Sequence, residues 1–520
     1  MRNQKQIPLS GLIILILVLL SAVALKEGYT GNGGWYWILC LTLPLLLLAI
    51  LNIRQKKHAL LRNFPVVGYL RYFFESFRPE IRQYFFESDL DGKPFNRRQR
   101  SIVYQRAKNE RQTVAFGMQS DPNAPGFEWV AHSVYPKNLK EDDLRVWVGN
   151  HLCSQPYQAS IYNIAAMSYG ALSKTAITAL NEGAKLGRFA HNTGEGGISE
   201  YHLKGGDLIW QIGTGYFGCR NEEGRFNASA FKQNASRPEV KMIELKLSQG
   251  AKPGHGGILP AAKNTPEIAL IRQVNAGTTI HSPSAHTEFN SPETMVRFLQ
   301  RLRELSNGKP VGFKICIGDK QEFIDICSAI KLTGCIPDFI SVDGGEGGTG
   351  AAPLEFTDHL GMPLYEALAF VKETLEQFDL AKHIKIFAAG KIITGFDILK
   401  ALSLGASACY SARGMMFAIG CIQALICDSG KCPVGVATQD PALYKGLDPT
   451  DKGVRVFNFH QNTIIATKEM MEACGFSDVQ SIQPSKFFRR VDEQTIMSFN
   501  EIYFKKENGI QQQRLQLLLN

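Results

Sequence analysis

Charge of one sign is nowhere concentrated in this sequence: 57 Lys and Arg face 48 Asp and Glu over 520 residues, and basic residues gather only at 54–62 and 97–100. That scatter excludes a nucleic-acid partner, which needs a continuous basic face to meet a phosphate backbone. The eleven cysteines lack the regular, even spacing of a secreted disulfide scaffold. Internal repeats and low-complexity tracts are absent too, which excludes solenoid and disordered architectures. What remains is a chain with 44% hydrophobic residues, long enough for one large domain or several ordinary ones.

Long apolar runs are confined to the start. Residues 7–25 and 35–53 carry no charge, and each is about the length a helix needs to cross ~30 Å of hydrocarbon. They predict a transmembrane hairpin over residues 1–57. Arg2 and Lys5 precede the first run and Arg54, Lys56, Lys57 and Arg62 follow the second, so the positive-inside rule predicts a multi-pass protein of the cell membrane with both ends of the hairpin in the cytoplasm. A cleaved signal peptide ending near Ala22-Val-Ala24 is the competing reading of the first run, and it leaves the later residues on the same side. Residues 58–155 predict a helical lead-in, with helical stretches at 81–87 and 96–107. The turn Asp89-Leu-Asp-Gly92 resembles the start of a calcium loop but lacks its later acidic ligands, so a plain turn is expected.

From residue 160 onward, short apolar strands alternate with helical segments, the pattern of parallel βαβ units. Eight strands are expected at 161–166, 189–192, 208–213, 242–247, 311–317, 339–342, 384–388 and 408–411. Eight in one series predict an α/β fold, a TIM (β/α)8 barrel over residues 156–440. The segment between the fourth and fifth strands carries an extra strand-like stretch at 278–282. One long helix is expected at 454–474, within a helical tail over 441–520. The glycine-ended strands before Gly390-Lys391 and Arg413-Gly414 are where a barrel grips a phosphate. Just beyond lie Cys421, Cys427 and Cys432-Pro433, whose spacing suits an iron–sulfur cluster. The lack of a fourth cysteine favours a three-iron (3Fe-4S) over a four-iron cluster, unless a ligand comes from elsewhere. Three buried cysteines close together by chance is the bland alternative. The glycines of Gly345-Glu-Gly-Gly-Thr-Gly350 lack the strand-to-helix context and acidic ribose ligand of a dinucleotide site.

Five ordered motifs carry a resemblance: Ala166-Met-Ser-Tyr-Gly-Ala-Leu-Ser173, Asn192-Thr-Gly-Glu-Gly-Gly197, Gln249-Gly-Ala-Lys-Pro-Gly254, Gly347-Gly-Thr-Gly-Ala-Ala-Pro-Leu354 and Cys432-Pro-Val-Gly-Val-Ala-Thr-Gln439. Residues 156–439 resemble the FMN-binding, iron–sulfur domain of glutamate synthase, and the whole layout resembles the shorter, membrane-anchored glutamate synthase-like proteins of bacteria. The resemblance implies FMN and an iron–sulfur cluster on this barrel. FMN needs small residues against its ring, a cation near N1 and amides at its phosphate. Ala166, Met167 and Ser168 after the first strand, Gln211 on the third at the ring's O4/N3 edge and Lys314 on the fifth meet the first two needs. Gly390, Lys391, Arg413 and Gly414 meet the last. A lysine aimed into a barrel is costly without an anion to face, which favours the flavin role of Lys314 over the alternative, a structural pair with a carboxylate.

The resemblance also implies that Lys252 and Arg272 hold 2-oxoglutarate and that Glu195 lies beside the flavin. Two departures stand out: the family's Gly-Glu-Gly-Gly-Gln reads Gly254-His255-Gly-Gly-Ile258 here, and Ser282-Pro-Ser-Ala-His286 differs from a loop richer in proline and histidine. The family's glutaminase domain, β-helical domain and a dinucleotide domain are not found in the sequence. The expected reaction is therefore reductive amination of 2-oxoglutarate with ammonia to glutamate, using electrons from ferredoxin or a flavoprotein. Action on another 2-oxo or 2-amino acid, or an electron-transfer subunit of a membrane complex, are the alternatives. The sequence is compatible with a homo-oligomer.

Overall fold

The computed structural model describes residues 9–31, 33–140 and 144–504. Arg2, Lys5, the start of the first apolar run at Ile7 and the tail beyond Phe504 lie outside the described residues. The chain divides into two compact units, one ending at Arg98 and one beginning at Gln99.

In the first unit, helices Leu9–Tyr29 and Tyr36–Arg54 pair as a hairpin, and both are long and apolar enough to cross a membrane. Small residues let them approach: Ala24 and Ala49 are fully buried, and the Ser21 hydroxyl lies 2.8 Å from the Thr42 hydroxyl across the pair. Their leucines point outward, with Leu19 at 55% and Leu41 at 64% exposure. A short helix Ala59–Asn63 follows, then helix Gly68–Ile81, which runs on as one wider turn, Arg82–Phe86.

The second unit holds a closed parallel barrel whose strands follow chain order: Tyr162–Ile164, His191–Asn192, Leu208–Ile212, Val240–Lys246, Val311–Ile315, Phe339–Asp343, Lys385–Ala389 and Ala408–Ser411. All eight fall at the expected places. The barrel closes where Cys409, Tyr410 and Ser411 pair with Tyr162, Asn163 and Ile164. Its interior is a packed core of Ala190, Ile209, Met242, Phe339, Phe387, Ala408 and Tyr410, and the hairpin Arg145–Val148 with Tyr157–Ser160 adds Val148 and Ala159 to the same cluster. The expected long helix is Pro449–Ala473; Asp448 caps it and Pro449 opens it. It lies on helix Lys174–Gly187, where a Cβ on Gly183 would stand 2.6 Å from Val456, and its His460 ring stacks 3.8 Å from Phe189.

One expectation is corrected and another holds. The lead-in and tail are not purely helical: Phe487–Arg490 pairs antiparallel with both Glu128–Val130 and Ile496–Ser498, forming a three-stranded sheet. Stacked rings hold it, Trp129 lying between Phe127 at 5.8 Å and Phe488 at 5.5 Å, while Arg489 and Lys400 share the Glu128 carboxylate at 2.7 Å each. The strand-like stretch at 278–282 does pair, as Ile280–His281 with Ile258–Leu259.

Candidate active site at the open end of the barrel

Side chains on one face of a strand recur every second residue. Along the barrel strands this alternation changes chemistry toward the C-terminal ends: Ile209 is followed by Gln211, Met242 by Glu244 and Lys246, Gly312 by Lys314, and Phe339 by Ser341 and Asp343. Glu244 is fully buried and accepts from Asn192 Nδ2 and Gln211 Nε2, each at 2.7 Å, and from the Ser341 hydroxyl. Because a carboxylate only accepts, Gln211 gives it the amide nitrogen and keeps its oxygen for another partner. Lys314 Nζ lies 3.1 Å from Asp343 Oδ2. Burial alone would lower this ammonium, but Asp343 and Glu244 outweigh burial and hold it above the ordinary lysine value. A permanent cation therefore stands in the barrel mouth.

Beside it a cavity is lined by Glu195, Thr214, Lys246, Gln249, His255 and Gly257 among others. Glu195, on the loop after the second strand, meets Lys246 Nζ at 2.7 Å. Burial pushes the Glu195 carboxyl up, yet Lys246, then Lys252 and Arg272, pull it below the usual carboxylate range. Lys252 is buried and donates to the Gly256 carbonyl at 3.3 Å. Helix Pro266–Arg272, capped by Thr265, delivers Arg272 at its last turn. There Arg272 Nη2 donates to the Tyr169 carbonyl at 3.1 Å, and the guanidinium lies 5.1 Å over Phe217. A Cβ on Gly170 or Gly196 would stand 3.0 or 2.8 Å from that nitrogen, so both glycines make room for it. Arg272 Nε is buried and finds no acceptor among the described residues. Burial lowers Lys252 and brings Arg272 down to about 10, with Glu195 opposing both shifts. Three cations thus share one carboxylate, an arrangement suited to a dicarboxylate ligand.

Behind Lys246, His286 lies 2.9 Å from both the Lys246 carbonyl and the Tyr216 hydroxyl; burial lowers its pKa to about 4, leaving it neutral. Of the departures noted in the sequence, the first splits, with His255 lining the cavity and packing its ring 5.8 Å from Phe356 while Ile258 belongs to the short strand pair and is not among the lining residues; the second puts Pro283 and Ser284 in the cavity wall.

The glycine-ended strands converge as well. Lys391 follows Gly390 with φ at +53°, and a Cβ on Gly390 would stand 3.2 Å from Glu346 Oε1. Glu346 accepts from the Leu364 amide at 3.1 Å; burial raises its pKa against the pull of Lys391. Arg413 Nη2 donates to the Glu346 carbonyl at 2.9 Å, and a side chain on Gly348 would collide with that guanidinium. A Cβ on Gly414 would meet Ser411 Oγ at 2.5 Å. Loops after the first two strands interlock likewise: Met167 N donates to the Asn192 carbonyl at 3.3 Å, and a Cβ on Gly194 would stand 2.8 Å from Ser168 N. Ala166 lies on the same turn, between Ala165, whose amide donates to the Ser411 carbonyl at 3.0 Å, and Met167.

Cys421, Cys427 and Cys432 follow helix Arg413–Ala418 on a loop bent by left-handed Gln423 and Leu425. The Tyr104 hydroxyl donates to the Cys421 carbonyl at 2.6 Å, and Lys263 Nζ donates to the carbonyls of Cys427 at 2.6 Å and Ala437 at 3.2 Å. Burial raises the Cys421 thiol to about 12, with Cys427 and Cys432 adding to the shift. The thiols are therefore neighbours, but no three His, Cys, Asp or Glu side chains among the described residues converge to hold a metal ion. Three thiols on one loop match the number a three-iron cluster takes, but they are not gathered around one point in this structure.

A closed parallel barrel with a charged cavity and glycines at its strand ends defines a protein of the α/β-barrel enzyme class. Residues 137–477, more than half of the chain, match the conserved region in glutamate synthase. The chain belongs to the glutamate synthase family. It is 39% identical over 465 residues to the glutamate synthase large subunit-like protein YerD of Bacillus subtilis, covering 81% of this chain and 88% of that protein. It is 34% identical to the archaeal glutamate synthase [NADPH] of Methanocaldococcus jannaschii, over 70% of this chain and 68% of that one, and 35% identical to the archaeal-type enzyme of Thermotoga neapolitana, over 62% and 60%. Among solved structures, a mandelate oxidase variant with a monooxide FMN adduct aligns at TM-score 0.42 and 14% identity, covering 81% of this chain and 99% of its own.

Two readings of the site differ from what the sequence led us to expect. Lys246 pairs with Glu195 at the heart of the cavity, although the sequence shows it only as the polar end of a strand. Asp343 holds Lys314 and also accepts from the Gly250 amide at 2.9 Å, tying the sixth strand to the loop that carries Lys252.

Proposed function

We propose that this protein carries out glutamate synthase-type reductive amination, joining ammonia to 2-oxoglutarate to form L-glutamate. The observation that carries this reading is the set of three cations around Glu195 at the open end of the barrel, in a chain of the glutamate synthase family. Lys252 and Arg272 bind the two carboxylates of a five-carbon keto diacid; the partnerless Arg272 Nε supports that role. Lys246 holds Glu195 ionised, so Glu195 can accept a hydrogen bond from ammonia and orient its nitrogen toward the keto carbon. Neutral His286 braces Lys246 from behind through its carbonyl.

When bound, FMN supplies the hydride and the iron–sulfur cluster passes electrons to it from ferredoxin or a flavoprotein. Ala166, Met167 and Ser168 would lie against the ring, Gln211 would offer its amide oxygen to a ring N–H, and Lys314 would face N1. Gly390, Lys391, Arg413 and Gly414 would hold the phosphate. Cys421, Cys427 and Cys432 would hold the cluster, and Cys427→Ser should abolish the iron signal while FMN stays bound. The hairpin would anchor the protein in the cell membrane with the barrel in the cytoplasm.

An anaerobic titration tests the reaction. The reduced protein should reoxidise on addition of 2-oxoglutarate with ammonium; reoxidation only by a different keto acid would redirect the substrate. That second reading has one specific support, the His255 ring in the cavity wall where the family carries a carboxylate.

A further inference from the structure

Residues 64–86 contain nine aromatic side chains in 23 positions, and very few of them are covered. On helix Gly68–Ile81 and the turn Arg82–Phe86, Leu70 is 54%, Phe74 61%, Phe85 80% and Phe86 78% exposed in the folded chain. Leu70, Phe73, Phe77, Ile81 and Tyr84 recur at three- and four-residue spacing, and Phe74 and Phe85 lie four residues after Leu70 and Ile81, so they share one helix face. Phe73 packs edge-on with Phe77 at 4.9 Å, making that face continuous. Arg71, Arg78 and Arg82 fall in a row on the adjoining face, Arg71 bonding Glu75 at 2.8 Å. A contiguous aromatic surface of this kind on a folded chain marks a partner.

Three observations choose the partner. First, the segment is fastened to the end of the second apolar helix. The Tyr69 hydroxyl donates to Asn52 Oδ1 at 3.1 Å, two residues before Arg54, and a Cβ on Gly68 would stand 3.0 Å from buried Leu61. The aromatic helix therefore starts at the level where the hairpin leaves its apolar span. Second, residues 55–86 carry six Lys or Arg against two Glu, the balance that anionic headgroups attract. Third, rings outnumber the aliphatic Leu70 and Ile81 on this face, unlike the aliphatic seam a helical protein partner calls for; aromatic side chains suit the boundary between water and acyl chains.

We propose that residues 68–86 form an interfacial helix that lies in the headgroup layer, its aromatic face in the acyl boundary and its arginines on lipid phosphates. The proposal rests on the reading of the hairpin as membrane-crossing. It is tested in the full-length protein reconstituted in nanodiscs containing anionic phospholipid, with the photo-crosslinker benzoylphenylalanine in place of Leu19, Phe74, Phe85 or Glu75 in turn. Leu19 on the hairpin, Phe74 and Phe85 should each gain the mass of a phospholipid on illumination, with Glu75 on the polar side several-fold weaker. Lipid adducts at Leu19 with protein adducts, or none, at Phe74 and Phe85 would overturn the interfacial helix while leaving the hairpin standing. Equal lipid labelling at Glu75 and Phe74 would also overturn it. No lipid adduct at Leu19 would remove the membrane itself, and the proposal with it.

Discussion

The two halves of the barrel interior are built from the same strands yet obey opposite rules. In the lower half Ile209, Met242, Phe339 and Phe387 fill space with apolar volume and make no polar demand. Two residues further along three of these strands, Gln211, Glu244 and Ser341 are just as deeply placed, with Asp343 two beyond Ser341, but each must find a partner or lose several kcal/mol. They find each other, and the charges above them find Glu195, Lys246 and Lys314. The lower half is a core and the upper half is a preorganised electrostatic site. The change from one to the other takes a single step of the strand repeat.

If that division is right, substitutions in the two halves should fail in different ways. The largest effect belongs to the lower half: Phe339→Ala should cost about 3–5 kcal/mol of stability, read as a fall in the denaturation midpoint, while activity per folded molecule is unchanged. A loss of activity without a loss of stability would break the comparison. Lys246→Met should weigh the other way, lowering the melt less than Phe339→Ala because Lys252 and Arg272 still face Glu195, but slowing 2-oxoglutarate-dependent flavin reoxidation at least about a hundredfold. Lys252→Met removes one charge-assisted bond worth roughly 1.5–3 kcal/mol, so 2-oxoglutarate should bind about tenfold or more weakly with FMN retained.

The smallest effect sharpens the boundary rather than breaking it. His202, His286 and His460 are buried, and burial lowers their pKa values to about 4, 4 and 3. An unfolded chain protonates these rings near pH 6.5, whereas the folded chain resists until about pH 4. Between those values the unfolded state binds more protons, so stability falls as pH drops through that window and is regained above it. Melts at about pH 7.5 and about pH 5 should show the lower temperature at pH 5; an equal or higher one would mean that these rings find acid partners on protonation.

The eight strands were legible because each is a short apolar run between helical segments, and a barrel needs little else to declare itself. Lys246 was not, because at the end of the 242–247 run a single lysine looks like a strand leaving the core. Its signal lay in the alternation Met242, Glu244, Lys246, which puts two charges on the face that already carries a core residue. The sheet joining lead-in and tail was hidden for another reason. Phe487-Phe-Arg-Arg490 has no alternation to announce a strand, and its partner Glu128–Val130 lies more than 350 positions earlier. Gln211 was legible as a polar residue at a strand end; that Glu244 orients its amide needed coordinates.

Three cations around one carboxylate carry a further consequence. A recess with surplus positive charge does not wait empty in solution; it recruits whatever small anion is abundant. On the proposed reading of the site, chloride and inorganic phosphate would be rivals of the keto acid, and the working rate would report the ionic milieu as well as nitrogen supply. Replacing chloride with bulky gluconate at constant ionic strength should lower the half-saturating 2-oxoglutarate concentration, and an unchanged value would show that the recess excludes such ions by shape.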